Sequence, residues 1–125
     1  MQYAAVAAGA VLGANARFIL GSWAAERWGA DFPYGTLLIN VSGAFVLGAF
    51  LAFIGSRIGI NPLWRLFFAT GFLGGYTTFS SYAWEALTLA EDGAWLRAVG
   101  YVLGTNIVGL VGVWLGAALA RLLPL

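Results

Sequence analysis

The residues best suited to ion chemistry lie between Gly71 and Tyr82, in the order Gly-Phe-Leu-Gly-Gly-Tyr-Thr-Thr-Phe-Ser-Ser-Tyr. The stretch is uncharged, and its adjacent glycines and adjacent threonines each disfavour a helix. Within a bilayer, irregular backbone persists only where protein or a wet cavity satisfies its free amide and carbonyl groups. The stretch therefore predicts a broken helix at membrane depth, where bare backbone groups meet an ion beside hydroxyls and aromatic rings.

Two aromatic side chains follow the predicted break at helical spacing. Phe79 and Tyr82 stand at positions i and i+3, which places them on one face of a helix that resumes there. Such rings often face lipid or pack on neighbouring helices. Their edges are electropositive, so they can also hold a desolvated anion weakly enough to release it. Both interpretations are open, and in the second Ser80 and Ser81 supply hydroxyl donors.

Few other polar side chains lie at membrane depth. Arg17 and Glu85 stand near the ends of two predicted spans. Three interpretations are open: the two residues form an anion-attracting vestibule, they form an ion pair, or their charged groups extend to the membrane interface. Asn40 either joins helices or donates its amide to a passing anion. Tyr101 and Thr105, at i and i+4, share a helix face. Their hydroxyl groups either line a pore or form a hydrogen bond between helices.

The bulk composition indicates a single membrane domain over residues 1–125. The chain is 62% hydrophobic and 9% charged, with a mean hydropathy of +0.88. It contains no cysteine and no histidine, which removes thiol chemistry, the commonest metal ligand and the usual general base. An enzyme is therefore not expected. The net charge of +1 gives no indication of a nucleic-acid partner.

The apolar runs predict an all-α membrane protein with four transmembrane helices. The spans are roughly residues 3–23, 35–55, 66–90 and 98–120, each long enough to cross a hydrocarbon core of about 30 Å. All three prolines fall outside them, where a missing N–H costs nothing. The N-terminus lacks the basic region of a signal peptide, so the first run is expected to be a retained span.

The arginines give no preferred orientation in the membrane. If the N-terminal side is called side A, it carries Arg57, Arg65 and Arg121, and the opposite side, side B, carries Arg17, Arg27 and Arg97. The positive-inside bias that fixes topology is absent. The chain is therefore able to insert both ways up, and oppositely inserted copies could pair about a twofold axis in the membrane plane. A unique orientation set by a weak bias and a partner is the alternative.

These features together resemble the Fluc (CrcB) fluoride channels of microbes. The resemblance covers essentially the whole chain and is most specific in the stretch from Gly71 to Tyr82. Two further motifs support it: Gly13-Ala-Asn-Ala-Arg17 and Asn40-Val-Ser-Gly-Ala-Phe45. The resemblance implies a passive, fluoride-selective channel in the cell inner membrane, built as an antiparallel dual-topology homodimer with two pores. Its expected partners are fluoride, membrane lipid and the second copy.

The resemblance also implies roles for individual residues. Backbone carbonyls of Gly74 and Thr77 from both copies would hold a structural Na⁺ at the dimer centre, and Phe79 and Tyr82 would belong to a box of rings beside the pores. The remaining implied pore-lining residues are Asn40, Ser80, Ser81, Tyr101 and Thr36. The family usually has phenylalanine where this chain has Tyr82, so the tyrosine hydroxyl could point into the conduction path.

Two other classes of protein compete with the channel. A proton-coupled small multidrug exporter also has four spans, but it needs a membrane-embedded acid. Here the first span carries Arg17, and Glu85 is near a span end. A subunit that only packs in an assembly would leave the predicted break unexplained.

Overall fold

Three long apolar helices form the frame of the molecule. The computed structural model describes residues 1–124, and in that range it contains helices and no strand. The long helices are α1 (Gln2–Trp28), α2 (Tyr34–Gly55) and α5 (Trp95–Arg121). Each is long and apolar enough to cross a membrane. A chain with three such helices is a membrane protein.

The segment between α2 and α5 is helical but broken. It starts with a short turn, Pro62–Trp64, capped by the Asn61 side chain. It continues as the π-helix Arg65–Leu73 and the turn Gly74–Tyr76. We call these three pieces together α3. A second helix, α4, covers Phe79–Glu91. Between α3 and α4 the backbone is not helical.

The break consists of Thr77 and Thr78. Thr77 has φ −79° and ψ 158°, and Thr78 has φ −150° and ψ 118°, so both are extended. Extended backbone suits β-branched residues. The predicted break is thus present, but the expectation that Gly74 and Gly75 contribute to it is wrong, because both are helical. Gly75 instead lets α3 approach α1, since a Cβ there would lie 2.8 Å from the Ala10 carbonyl oxygen.

The bundle is assembled on close contacts between helix backbones. On α1, a Cβ at Gly9 or Gly13 would overlap carbonyl oxygens of α3. On the other side of the bundle, Gly48 of α2 and Gly116 of α5 approach each other's helix in the same way. Small residues at such positions let helices associate without the hydrophobic effect.

These contacts fix which helix ends lie together. Gly9 faces the region of Phe67 to Phe72, and Gly13 the region of Phe72 to Tyr76, so α1 and α3 run in the same direction. Gly112 and Gly116 face Val41 and Phe45, so α2 and α5 are also parallel to each other. The rings of Phe50 and Phe68, 4.7 Å apart, place the end of α2 beside the start of α3. Side A thus gathers the starts of α1 and α3 and the ends of α2 and α5.

The close contact at Gly13 predicts a large loss of stability on a small substitution. In Gly13→Ala the new methyl would overlap the Phe72 carbonyl oxygen. Relieving such a clash typically costs about 1–3 kcal/mol. Gly109→Ala is the matched control, because among residues 1–124 no atom beyond its own stretch of helix lies within 4 Å of the added Cβ, and alanine favours a helix by about 0.5–1 kcal/mol. Thermal unfolding in detergent should show a lower midpoint for Gly13→Ala only, and equal midpoints would contradict the packing described.

Candidate ion-binding site at the helix break

One side-chain amide satisfies both backbone groups of Thr78. The Thr78 N–H donates to Asn40 Oδ1 over 2.8 Å, and Asn40 Nδ2 donates to the Thr78 carbonyl oxygen over 2.9 Å. Thr78 is only 7% exposed, so these bonds are made where water cannot replace them. Asn40 thus joins α2 to the break, the first of its two predicted uses. Its Nδ2 group has a second hydrogen that remains for another acceptor.

The side chain of Thr78 caps the start of α4. Its Oγ1 accepts from the Ser81 N–H at 3.2 Å and donates to Ser81 Oγ at 3.1 Å. Ser80 Oγ lies 3.4 Å from the same oxygen. The first amide groups of a helix carry a partial positive charge that favours anions. Sequence reasoning noted Thr78 only as a helix breaker, although a threonine before a helical run is also a capping signal.

The end of α3 presents carbonyl oxygens that have lost their helical donors. The carbonyl of Gly74 would pair with the Thr78 N–H, but that group donates to Asn40. The carbonyl of Thr77 would pair with the Ser81 N–H, but that group donates to Thr78 Oγ1. Helix ends of this kind carry a partial negative charge. The predicted cation ligands are thus neutral oxygens that fit a hard monovalent cation.

A cavity of about 380 Å³ adjoins the break. It is lined by Asn40, Gly43, Ala44, Leu47, Ala69, Leu73, Gly74, Thr77, Thr78, Phe79, Tyr82, Thr105 and Asn106. The rings of Phe79 and Tyr82 lie 5.5 Å apart at its wall. Phe79 is 77% exposed, whereas Tyr82 is buried. The cavity is therefore lined by residues with amides, hydroxyls and aromatic rings, the groups that the sequence predicts for an anion.

Helix α5 contributes two polar groups to this cavity. Asn106 Nδ2 donates to the Tyr82 hydroxyl oxygen over 2.9 Å, so the hydroxyl that distinguishes Tyr82 from phenylalanine is held toward α5. The Thr105 hydroxyl is buried without a hydrogen-bond partner among residues 1–124. Asn106 was missed as a site residue, because no spacing rule links it to Tyr82.

Glu85 accepts hydrogen bonds from two of the hydroxyls predicted to line a pore. Its Oε1 accepts from Thr36 Oγ1 and its Oε2 from the Tyr101 hydroxyl, both at 2.8 Å. Tyr101 is only 1% exposed. The carboxylate is thus satisfied by hydroxyls from α2 and α5, which favours neither an ion pair with Arg17 nor simple snorkelling. Sequence reasoning did not link these residues, because they meet only through tertiary packing.

Arg17 faces an open cleft that reaches the break. The cleft has a volume of about 500 Å³ and is lined by Ala14, Arg17, Phe18, Gly21, Ser22, Ala25, Thr36, Ile39, Thr78 and Ser81. Arg17 is half-buried, and a cationic residue in a cleft that hydroxyl residues also line attracts anions. Thr78 lines both this cleft and the 380 Å³ cavity, so both spaces border the break.

Comparison with known proteins places the chain in a family. Residues 4–117 match the family described as "CrcB-like protein, Camphor Resistance (CrcB)". A protein of Roseiflexus sp. named "Fluoride-specific ion channel FluC" is 49% identical over 99% of this chain and its own full length. Proteins of the same name from Koribacter versatilis and Aquifex aeolicus are 46% and 41% identical, over 96% and 94% of this chain and 95% and 94% of their own lengths. The chain therefore belongs to the CrcB family.

Proposed function

We propose that this protein is a fluoride-selective channel that lets the anion leave the cell passively across the inner membrane. The observation that carries this function is the near full-length similarity to relatives named fluoride-specific ion channels. The break supplies the physical reason. Fluoride is small and strongly hydrated, so a pore has to replace its water with several modest donors. The second Asn40 hydrogen, the hydroxyls and the ring edges are donors of this kind.

The proposed route begins in the Arg17 cleft. The guanidinium raises the local concentration of anions, and the capping group of Thr78 and Ser81 receives them at the positive end of α4. Phe79 and Tyr82 then offer ring edges in the adjoining cavity. No step needs a proton or a covalent intermediate, so a passive leak suffices.

Two hydroxyls of the proposed pore lining already donate hydrogen bonds within the protein. Thr36 and Tyr101 both donate to Glu85. They can donate to fluoride only when their hydrogen bonds to the Glu85 carboxylate break, and the negative charge of the carboxylate also repels fluoride. Fluoride is therefore expected to pass more slowly at the Glu85 end of the proposed route.

The proposed assembly is an antiparallel homodimer in which α3 and α4 together form a fourth crossing of each copy. The even split of arginines allows insertion in both orientations. Phe79 and Gly74 are exposed on the isolated chain, so the surface of the break is free to meet a second copy. Gly74 and Thr77 carbonyls from two copies would hold Na⁺ between them. The cation would neutralise the facing helix ends and raise the potential felt by an anion.

Anion efflux from liposomes tests the function directly. Purified protein is reconstituted with fluoride inside, and release is followed with a fluoride electrode under a set membrane potential. We expect fluoride loss without chloride loss and without any imposed proton gradient. Protein-free vesicles give the leak rate. Drug uptake driven by a pH gradient, with no fluoride flux, would instead identify a multidrug exporter.

Removal of Na⁺ should weaken the proposed dimer. A ligand that binds only the assembled state, present at about 100 times its Kd, shifts the equilibrium by about 100-fold. We therefore expect dilution in choline chloride to give far more monomer than dilution in NaCl of the same ionic strength, as measured by single-molecule subunit counting. Identical dimer fractions in the two salts would show that Gly74 and Thr77 do not hold a structural cation.

A further inference from the structure

An apolar groove runs between the side A ends of the helices, away from the break. It has a volume of about 600 Å³ and lies among α2, α3 and α5. Every lining side chain is apolar, and the lining includes Phe53, Phe68, Leu119, Ala120 and Leu122. In a membrane protein such a groove faces acyl chains, which are present at high local concentration.

Each of the three helices that line the groove carries an arginine beside it. Arg57 follows α2, and its guanidinium carbon lies 3.9 Å from the centre of the Phe53 ring, which holds the cation over a lining residue. Arg121 is the last residue of α5, so it lies at the same membrane level as the lining residues Ala120 and Leu122, although it does not itself line the groove. Arg65 begins the π-helix that supplies the lining residue Phe68, so it lies at the same end of the molecule. The mouth of the groove is thus cationic.

The acidic side chains of the protein are in the other half of the molecule. The five are Glu26, Asp31, Glu85, Glu91 and Asp92. They stand in or next to the last turn of α1, in the following connection, or along α4. The charge at side A is therefore not offset by neighbouring carboxylate side chains. The positive charge at side A attracts anions, and the anions available at a membrane surface are lipid phosphates.

We propose that the groove binds one anionic phospholipid, with an acyl chain along Phe53 and Leu119 and the headgroup phosphate on Arg57 and Arg121. A groove that is apolar along its length and cationic at its mouth has the polarity of such a lipid. Arg65 adds a third charge to the same headgroup region. The site is separate from the ion route, since none of its lining residues borders the Arg17 cleft or the cavity at the break.

Native mass spectrometry of delipidated protein tests the proposal. The protein is titrated with phosphatidylglycerol or with phosphatidylcholine of the same chains, and bound lipid is counted. We expect preferential retention of phosphatidylglycerol by the unaltered protein. An arginine near an anionic headgroup contributes about fivefold, so the Arg57→Gln, Arg121→Gln double variant should lose about 25-fold in affinity. The matched control, Arg27→Gln with Arg97→Gln, removes two side B arginines and should retain the lipid.

A second pair of measurements separates a lipid from other occupants. Leu119→Trp fills the exposed part of the groove without changing charge and should lower retention of both lipids. Inorganic phosphate should not displace phosphatidylglycerol, because it has no chain for the groove. Equal retention of the two lipids, full displacement by phosphate, or a double variant that changes only the dimer fraction would each overturn the proposal. Fluoride efflux is not the readout, so the outcome is independent of the proposed channel function.

Discussion

Fluoride efflux through the Asn40→Ala variant is expected to fall by about 30- to 700-fold. The substitution removes the acceptor of the Thr78 N–H and the donor to the Thr78 carbonyl. Each buried group left without a partner costs about 1–3 kcal/mol. A combined cost of about 2–4 kcal/mol, the lower part of the range for two such groups, lowers the equilibrium constant for the extended break by about 30- to 700-fold, since about 1.4 kcal/mol corresponds to tenfold. Efflux from liposomes measures the change.

Asn15→Ala is the matched control for this variant. Asn15 is exposed and its amide donates only within its own helix, to the Val11 carbonyl, so flux and stability should be kept. Thermal unfolding separates the two uses of Asn40. If Asn40→Ala lowers both the unfolding midpoint and the flux, the amide stabilises the break. If it lowers the flux at an unchanged midpoint, the amide acts only as a hydrogen-bond donor to the anion. Full flux would contradict both.

The break itself was predictable, but its cause was only partly so. Adjacent threonines and glycines in an apolar run marked the place. Both residue types disfavour a helix, so propensity could not distinguish them. Only the packing of Gly71 and Gly75 against α1 shows that glycine is used there for close approach. Thr77 and Thr78 take the extended backbone, and the Thr77 methyl packs against α2 at Gly43, where a Cβ would overlap it.

The hydrogen-bond partners around the break could not be predicted from spacing. Asn40 and Thr78 are 38 residues apart, and Thr36 and Glu85 are 49 apart. Such pairs depend on how α2 lies against α4. The sequence nonetheless identified the polar residues that need hydrogen-bond partners, because polar side chains in apolar helices cannot be left unpaired. The sequence therefore indicated which residues matter and left open what each one contacts.

The two threonines separate helix ends of opposite polarity. The last carbonyls of α3 favour a cation, and the first amides of α4 favour an anion. In a continuous helix these groups would bond to each other and attract neither. The redirected N–H groups of Thr78 and Ser81 keep them apart. A single two-residue break thus offers a physical basis for both the proposed structural cation and the proposed anion route.

Phe79→Ile is expected to reduce fluoride flux strongly while leaving the fold intact. The side chain is 77% exposed and its ring contact is with Tyr82, so little packing is lost within the chain. Isoleucine keeps the apolar surface but has no electropositive edge. An ion held by a ring quadrupole gains about 1–2 kcal/mol where it is largely desolvated, which corresponds to a fall in flux of about 5- to 30-fold. Efflux from liposomes gives the flux, and subunit counting gives the assembly state.

The control for this variant has to remove an exposed aromatic ring far from the break. Trp114 of α5 is 65% exposed and borders neither the cavity at the break nor the Arg17 cleft, so Trp114→Ile should conduct normally. If Phe79→Ile also conducts normally, ring edges play no part in passing the anion. If it loses flux only because subunits separate, the ring acts in assembly. A silent but fully assembled variant is the result that the electropositive edge requires.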